Sequence, residues 1–317
     1  MKSEPTSDHR VTTIMKDAAK SIVPLIVLFV IAPLIYQDQF LFFLLAILLV
    51  CTNALNIVYG FTGYLPFGFA VFVAFGAYTA AMTVNLLHFP VWLAVVSAGL
   101  SSVLLSLVFT PLLRLNGAYF AIASLAAFEA VYNIYQNGAL RNITGGPYGI
   151  FPKVPYTPNL DYITVVLLAI ASSLLILFIK RSDFGLALQA IRDDRYAVET
   201  VGVNTLMMRT YAWVLSSLLT GLAGGMYGLY IGFFYPSGVF DLTQFSVLVI
   251  IFLIFGGRGT YLGPLIGTVI LFLLYQFLNL SFPNLYLLVF GVIIILVMLF
   301  LPDGVISVLQ KRVKGVL

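Results

Sequence analysis

The chain has 317 residues, of which 61% are hydrophobic and only 9% charged, with a net charge of +4 at pH 7. Soluble domains carry about a quarter charged residues, so most of this surface faces something other than water, and a soluble enzyme is excluded. The lone Cys51 rules out an intrachain disulfide, and His9 and His88 have no ligand-spaced Cys, Asp or Glu beside them, so neither a metal nor another cofactor is expected.

In chain order, residues 1–20 form a polar tail ending in Lys16 and Lys20, followed by an apolar run over 21–36. No small-residue cleavage site follows that run, so it reads as a retained first span. Further runs lie at 39–59, 64–86, 91–113, 118–136, 162–179, 206–233, 243–257, 261–279 and 284–301. Each approaches the about 20 apolar residues needed to cross a bilayer, and none alternates with period two, which favours helices over a barrel. The expected fold is all-α: a polytopic integral membrane protein of about ten transmembrane helices over 21–302, with tails at 1–20 and 303–317. Placing both termini in the cytoplasm puts fourteen of the 16 Lys and Arg residues inside and leaves only Arg141 and Lys153 outside.

Several segments interrupt this pattern. Gly60-Phe61-Thr62-Gly63-Tyr64-Leu65-Pro66-Phe67-Gly68 breaks an apolar run with glycine and proline. Such breaks are tolerated where protein or a water-filled cavity surrounds them, so Gly63, Tyr64, Pro66 and Phe67 fit either a kinked helix or a substrate path. Thr260-Tyr261-Leu262-Gly263-Pro264 repeats part of this pattern and hints at an internal repeat. Glu129 is the acidic residue placed well inside a span, where a charge costs ~2.5–3.5 kcal/mol. It fits either the translocation path or a hydrogen bond to a neighbouring helix.

Two longer polar segments remain. Residues 137–161 form the longest external loop and 180–205 the longest internal one. The internal strip has apolar positions at Ala187, Leu188, Ile191, Tyr196, Ala197, Val198 and Val201. Arg192, Asp193, Asp194, Arg195 and Glu199 fall on wet faces, and Gly202 is a helix stop. One or two short amphipathic helices result, serving either as a solvated connector or as a docking element. Gly224, Gly228 and Gly232 recur every four residues and allow close helix packing. No phosphate-binding loop and no hydrolase or zinc-protease signature occurs, so any energy source lies elsewhere.

These segments together resemble the permease subunits of branched-chain amino acid ABC importers of bacteria and archaea. The resemblance runs over about 60–300 and is carried by 60–68 with Gly76-Ala77-Tyr78, Gly117-Ala118-Tyr119-Phe120-Ala121-Ile122 with Glu129, and Thr144-Gly145-Gly146-Pro147-Tyr148-Gly149. It continues through Ser182-Asp183-Phe184-Gly185 to Asp194, Gly221–Gly225 and Gly256–Gly267. It implies an ABC importer permease fold in a prokaryotic plasma membrane, a substrate path near Gly63, Tyr64, Pro66, Phe67 and Glu129, and an ATPase-coupling helix holding Ile191, Arg192, Asp193, Asp194, Ala197 and Gly202. Implied partners are cytoplasmic ATPase subunits, a second permease subunit, an extracytoplasmic solute-binding protein and membrane lipid, with no nucleic acid. Urea, amides or sugars are alternative cargoes within the superfamily, and a stand-alone secondary transporter or channel is the alternative outside it. Pro66 and Phe69 stand where the family often has Ser and His, which implies a more apolar pocket if those positions touch substrate.

Overall fold

The computed structural model describes residues 25, 27–30, 38–155, 157–300 and 304–306. Among these residues no strand forms, and the one ladder contact is an isolated antiparallel bridge between Ile150 and Phe234. In order, α1 is Gln39–Leu55, prolonged by a π-helical turn Asn56–Gly60; α2 is Ala70–Leu87; and α3 is Val91–Phe109, prolonged by a 3-10 segment Thr110–Arg114. Then come α4 Ala118–Gln136, α5 Pro158–Arg181, α6 Asp183–Asp193, α7 Arg195–Thr200 and α8 Thr205–Ile231. After the single turn Pro236–Val239 and a second π-helical segment, Thr243–Val247, α9 is Leu248–Gly256, α10 is Gly263–Ser281 and α11 is Tyr286–Phe300.

Among the described residues, 8 helical segments are long and apolar enough to cross a bilayer: α1, α2, α3, α4, α5, α8, α9 with its lead-in, and α10. The apolar α11 is shorter. The expected span 21–36 lies mostly outside the described residues, of which 25 and 27–30 are helical. The expected run 64–86 is corrected at its start. Residues 63–66 are not helical and α2 begins at Ala70. The expected 243–257 is extended backwards to Pro236.

The core is organised round α1, whose membrane-crossing window is wholly buried. A helix apolar on all sides has no face to orient it, and here polar side chains set its position. Asn53 Nδ2 donates to Ser172 Oγ and Ser173 Oγ of α5, both at 2.9 Å. Thr268 Oγ1 of α10 donates to Thr52 Oγ1 at 3.0 Å, and Ser216 Oγ of α8 to the Ala54 carbonyl at 2.7 Å. Hydrogen bonds between membrane helices contribute about 0.6 kcal/mol each and at most about 2, so α1 is tied on three sides. Packing between α2 and α8 is set instead by missing side chains. A Cβ at Gly76 would lie 2.3 Å from the Gly221 carbonyl oxygen, and one at Gly224 would lie 2.1 Å from that of Val73. Backbones meet directly there, as small residues allow.

Side-chain contacts sort the connections onto two ends of the bundle. At one end Gln39 reaches Asn159, Asn85 reaches the Phe151 carbonyl, and Ile150 pairs with Phe234. At the other, residues 60–69, 115–117, 182–204 and 257–262 converge, together with Arg114, Lys180, Arg181, Arg192, Arg195, Arg209 and Arg258. We refer to this second side as the basic end. The first side holds Arg141 and Lys153.

Candidate functional site

The strip after α5 folds as two helices with a corner because three caps impose it. Ser182 Oγ accepts from Gly185 N at 3.2 Å and starts α6; Asp194 Oδ1 accepts from Tyr196 N and Ala197 N at 2.9 and 3.1 Å and starts α7. Asn204 Oδ1 accepts from Met207 N at 3.0 Å and starts α8. Such caps each contribute about 1 kcal/mol. Gly202, at φ +86, provides the left-handed turn between α7 and α8 with open space around it. Leu188 and Ile191 are buried against the bundle, while Leu186, Tyr196 and Val201 stand exposed.

Arg192 is the pin of this strip. Its Nη1 donates to the Gly60 carbonyl at 2.9 Å, at the π-helical end of α1. A Cβ on Gly63 would lie 3.1 Å from Arg192 Cγ, and one on Gly259 would lie 2.7 Å from Arg192 Nη1. The two Gly-Pro interruptions also meet through Asn56. Its Oδ1 accepts from Gly259 N at 2.8 Å and its Nδ2 donates to the Thr260 carbonyl at 2.8 Å. The two segments whose sequences resemble each other therefore touch, with the strip seated on their junction.

A second layer surrounds this junction. Tyr64 donates from its hydroxyl to Asn116 Oδ1 at 2.8 Å, and Arg195 Nη1 donates to the same oxygen at 2.7 Å. Arg195 also holds Glu199 at 2.8 Å, and Thr205 Oγ1 donates to Glu199 Oε1 at 2.5 Å. The Thr205 bond first, then the Arg195 bond, holds the Glu199 carboxyl below the usual glutamate range. Beneath lies Arg209, 1% exposed, its guanidinium carbon 4.3 Å from the Tyr64 ring centroid and both Nη atoms without a hydrogen-bond partner. Tyr59 and Tyr261 likewise carry Arg258 and Lys180 on their faces. Tyrosines under cations suit the membrane–water boundary.

Residues assigned by sequence to two roles are thus neighbours. Gly63 and Tyr64, read as substrate path, lie against Arg192 and Asn116, whereas Pro66 is buried and Phe67 exposed where residues 66–68 reach α4. There Gly68 N donates to Ser124 Oγ at 3.3 Å, and a Cβ on Gly68 would lie 2.9 Å from Phe128 Cβ. Glu129, the next residue along α4, is exposed with Ile122, Ala126, Asn133 and Gln136 on one helical face. Asp193 is solvent-facing and only loosely paired with Arg192, at 3.5 Å. Of the glycine series, Gly224 and Gly228 pack against Val73 and Ala77, whereas Gly232 ends α8 at φ +76 beside open space. Sequence reasoning missed Asn56, Asn116 and Arg209. An Asn in an apolar run and an Arg five residues into a span are visible signals, but their partners lie far away in sequence. Among the described residues no cluster of His, Cys, Asp or Glu could hold a metal ion.

The fold and this junction define a polytopic helical membrane protein in which a polar two-helix strip is anchored to breaks in its spans. Residues 39–298 match the family described as branched-chain amino acid transport system, permease component, and the chain belongs to that family. It is 28% identical to the high-affinity branched-chain amino acid transport system permease protein LivM of Salmonella typhimurium, over 82% of this chain and 68% of that protein. The Escherichia coli LivM is 27% identical over the same shares. A probable branched-chain amino acid transport permease protein LivH of Methanocaldococcus jannaschii is 29% identical over 48% of this chain and 49% of its own. No solved structure matches.

Proposed function

We propose that this chain is the membrane-spanning subunit of an ATP-driven importer for branched-chain amino acids. The observation that carries this is the strip over 183–201, which leaves Leu186, Tyr196 and Val201 exposed while Arg192 pins it to the junction of two broken spans at Gly60. A push on that surface is delivered to the ends of α1 and α9, the coupling that a subunit without a motor requires. Cytoplasmic ATPase subunits occupy the strip, and the basic end faces the cytoplasm because Lys and Arg are retained there. Both tails then lie inside as well. A solute-binding protein engages the loop read at 137–161 on the far side. The polar stripe of Glu129, Asn133 and Gln136 on α4 cannot face lipid at low cost, and a second permease subunit covers it across a shared substrate path. Branched-chain amino acids are favoured by the names of the relatives.

The test is co-purification of the ATPase subunits with Tyr196→Glu, Val201→Glu and the charge reversal of Arg192 with Asp194. Association is expected to fall about tenfold or more, as at an interface hot spot, with membrane insertion retained. Unchanged association overturns the coupling assignment.

A further inference from the structure

The bundle holds a second polar enclosure, distinct from the strip and from the α4 stripe. The lead-in to α9 breaks at Phe240, where φ is -78 and ψ 47, after the turn Pro236–Val239. Phe240 packs its ring among Phe128, Tyr132 and Tyr135 of α4, with centroids 5.8, 5.6 and 5.5 Å away. The next residue, Asp241, lines a cavity of about 210 Å³ between this lead-in, α1 and α10. Asp241 Oδ1 accepts from Gln244 N at 2.9 Å, a bond that orients the carboxylate and engages one of its oxygens. Gln276 and Asn279 add side-chain amides from α10, and Leu44, Leu48 and Phe272 supply an apolar wall.

Three features make this a ligand site and not a packing fault. A carboxylate within a span is costly, and here it sits at the break of a discontinuous helix, the kind of backbone that lines substrate and ion sites in transporters. A π-helical segment, Thr243–Val247, follows immediately, and such irregularities concentrate at functional positions. The lining is also divided chemically, one anion and several amides against aliphatic and aromatic carbon. The volume lies below the ~300 Å³ at which sites for drug-sized ligands begin.

We infer that this cavity binds a small aliphatic amino acid. The ammonium group sits on Asp241, the carboxylate accepts from the Gln276 and Asn279 amides, and the side chain lies on Leu44, Leu48 and Phe272. The cavity is in the half of the membrane away from the basic end, since α1 and the α9 lead-in begin there and α10 ends there. It therefore holds solute on the side opposite the ATPase strip. The choice of an amino acid as occupant rests on the importer assignment above; the ammonium-accepting geometry does not.

The test uses the full-length chain in lipid nanodiscs with a reporter cysteine at Thr243, Thr243→Cys, which lines the cavity but makes none of the proposed contacts, labelled by a neutral thiol reagent. The native Cys51 is fully buried, so the unsubstituted chain gives the background. L-leucine is expected to slow labelling at Thr243→Cys, and Asp241→Asn is expected to weaken that protection about tenfold or more, the loss of a charge-assisted contact. Gln244→Cys, whose side chain lines the cavity and whose backbone N–H still serves Asp241, is a second reporter should the first perturb folding. Labelling unaffected by leucine at both reporters, protection by methylammonium but not by leucine, or protection that survives Asp241→Asn each overturns the inference. Leucine import by the assembled complex in proteoliposomes separates the two proposals. Protection without import removes the importer assignment and leaves the cavity; import without protection does the reverse.

Discussion

Arg192 donates from Nη1 to the Gly60 carbonyl at 2.9 Å, across 132 residues of sequence. The relationship has a local cause on each side. Gly60 lies in the last turn of the helix, whose α-helical backbone stops after Thr62, and Arg192 sits one residue before the end of α6 on its half-buried edge. A carbonyl freed at a helix end needs a donor, and the guanidinium supplies one. Arg192→Gln shortens the side chain and removes the charge. It is expected to lower stability by about 1–2 kcal/mol, discounted from the 1.5–3 typical of charged bonds because the side chain is part-exposed. Thermal unfolding followed by size-exclusion fluorescence reads this, and an unchanged midpoint would show the bond to be incidental.

How much of this was legible in the sequence depends on whether a boundary is drawn by lipid or by protein. The runs that became α3, α4 and α10 are edged by polar or glycine-rich residues, and their limits moved little. The start of α2 was misplaced because residues 64–69 are apolar and leave the helix inside the protein: Phe69 is fully buried yet precedes the helix. Hydropathy registers burial without distinguishing lipid from neighbouring helices. The run read at 243–257 errs the other way: the membrane-crossing segment begins at Pro236, before the polar Asp241. The strip at 180–205 was visible from its charges. Its seat was not, because Asn56, Gly60, Gly259 and Arg192 are adjacent only after folding.

Asn56 uses both ends of its amide to hold residues 259–260 against the end of α1. Asn56→Ala leaves the Gly259 N–H and the Thr260 carbonyl without that partner, for an expected loss of about 1–3 kcal/mol. Asn56→Asp keeps the acceptor for Gly259 but sets an anion against the Thr260 carbonyl oxygen, so it should be no better than Ala. Recovery of full stability in Asn56→Asp would contradict this geometry.

The glycines of α2 and α8 should divide into two classes. Gly224→Ala and Gly76→Ala place a Cβ within 2.1 and 2.3 Å of backbone oxygens that cannot rotate away, so the helices must separate, at an expected cost of about 3 kcal/mol, the upper part of the overpacking range, or more. Gly232→Ala meets open space and suffers only from its φ of +76, for about 1–2 kcal/mol. The yield of monodisperse protein after detergent extraction should follow that order, and equal yields for all three would exclude the close α2–α8 approach.

Glu199 gives the strip a pH dependence. Its folded pKa is held below the unfolded value, first by Thr205 and then by Arg195. The stabilisation is therefore fully present above the unfolded value of about 4.3 and is lost as pH falls below it through the folded pKa. Hydrogen exchange over 195–205, corrected for intrinsic rates, should show protection at neutral pH that declines only in acid. Glu199→Gln should remove this decline. A fall in protection between pH 6 and 8, roughly the histidine range, would point to another group.

Arg209 separates stability from function more sharply than any other residue of the junction. Its guanidinium is 1% exposed, covers the Tyr64 ring at 4.3 Å, and leaves two nitrogens without hydrogen-bond partners. An under-satisfied buried cation is costly, and replacing such a group with apolar volume is often neutral or stabilising. Arg209→Met should accordingly leave the midpoint unchanged or raised. Tyr64→Ala, which uncovers the charge and abandons the bond to Asn116, should lower it by about 2 kcal/mol, and Tyr64→Phe, which keeps the ring, by about 1. If Arg209→Met also retains transport by the assembled complex, the cation is only a fold element. If transport is lost while stability holds, its two free nitrogens serve a partner met in another state of the cycle, and Glu199, near enough to interact with it electrostatically, is the first residue to substitute next.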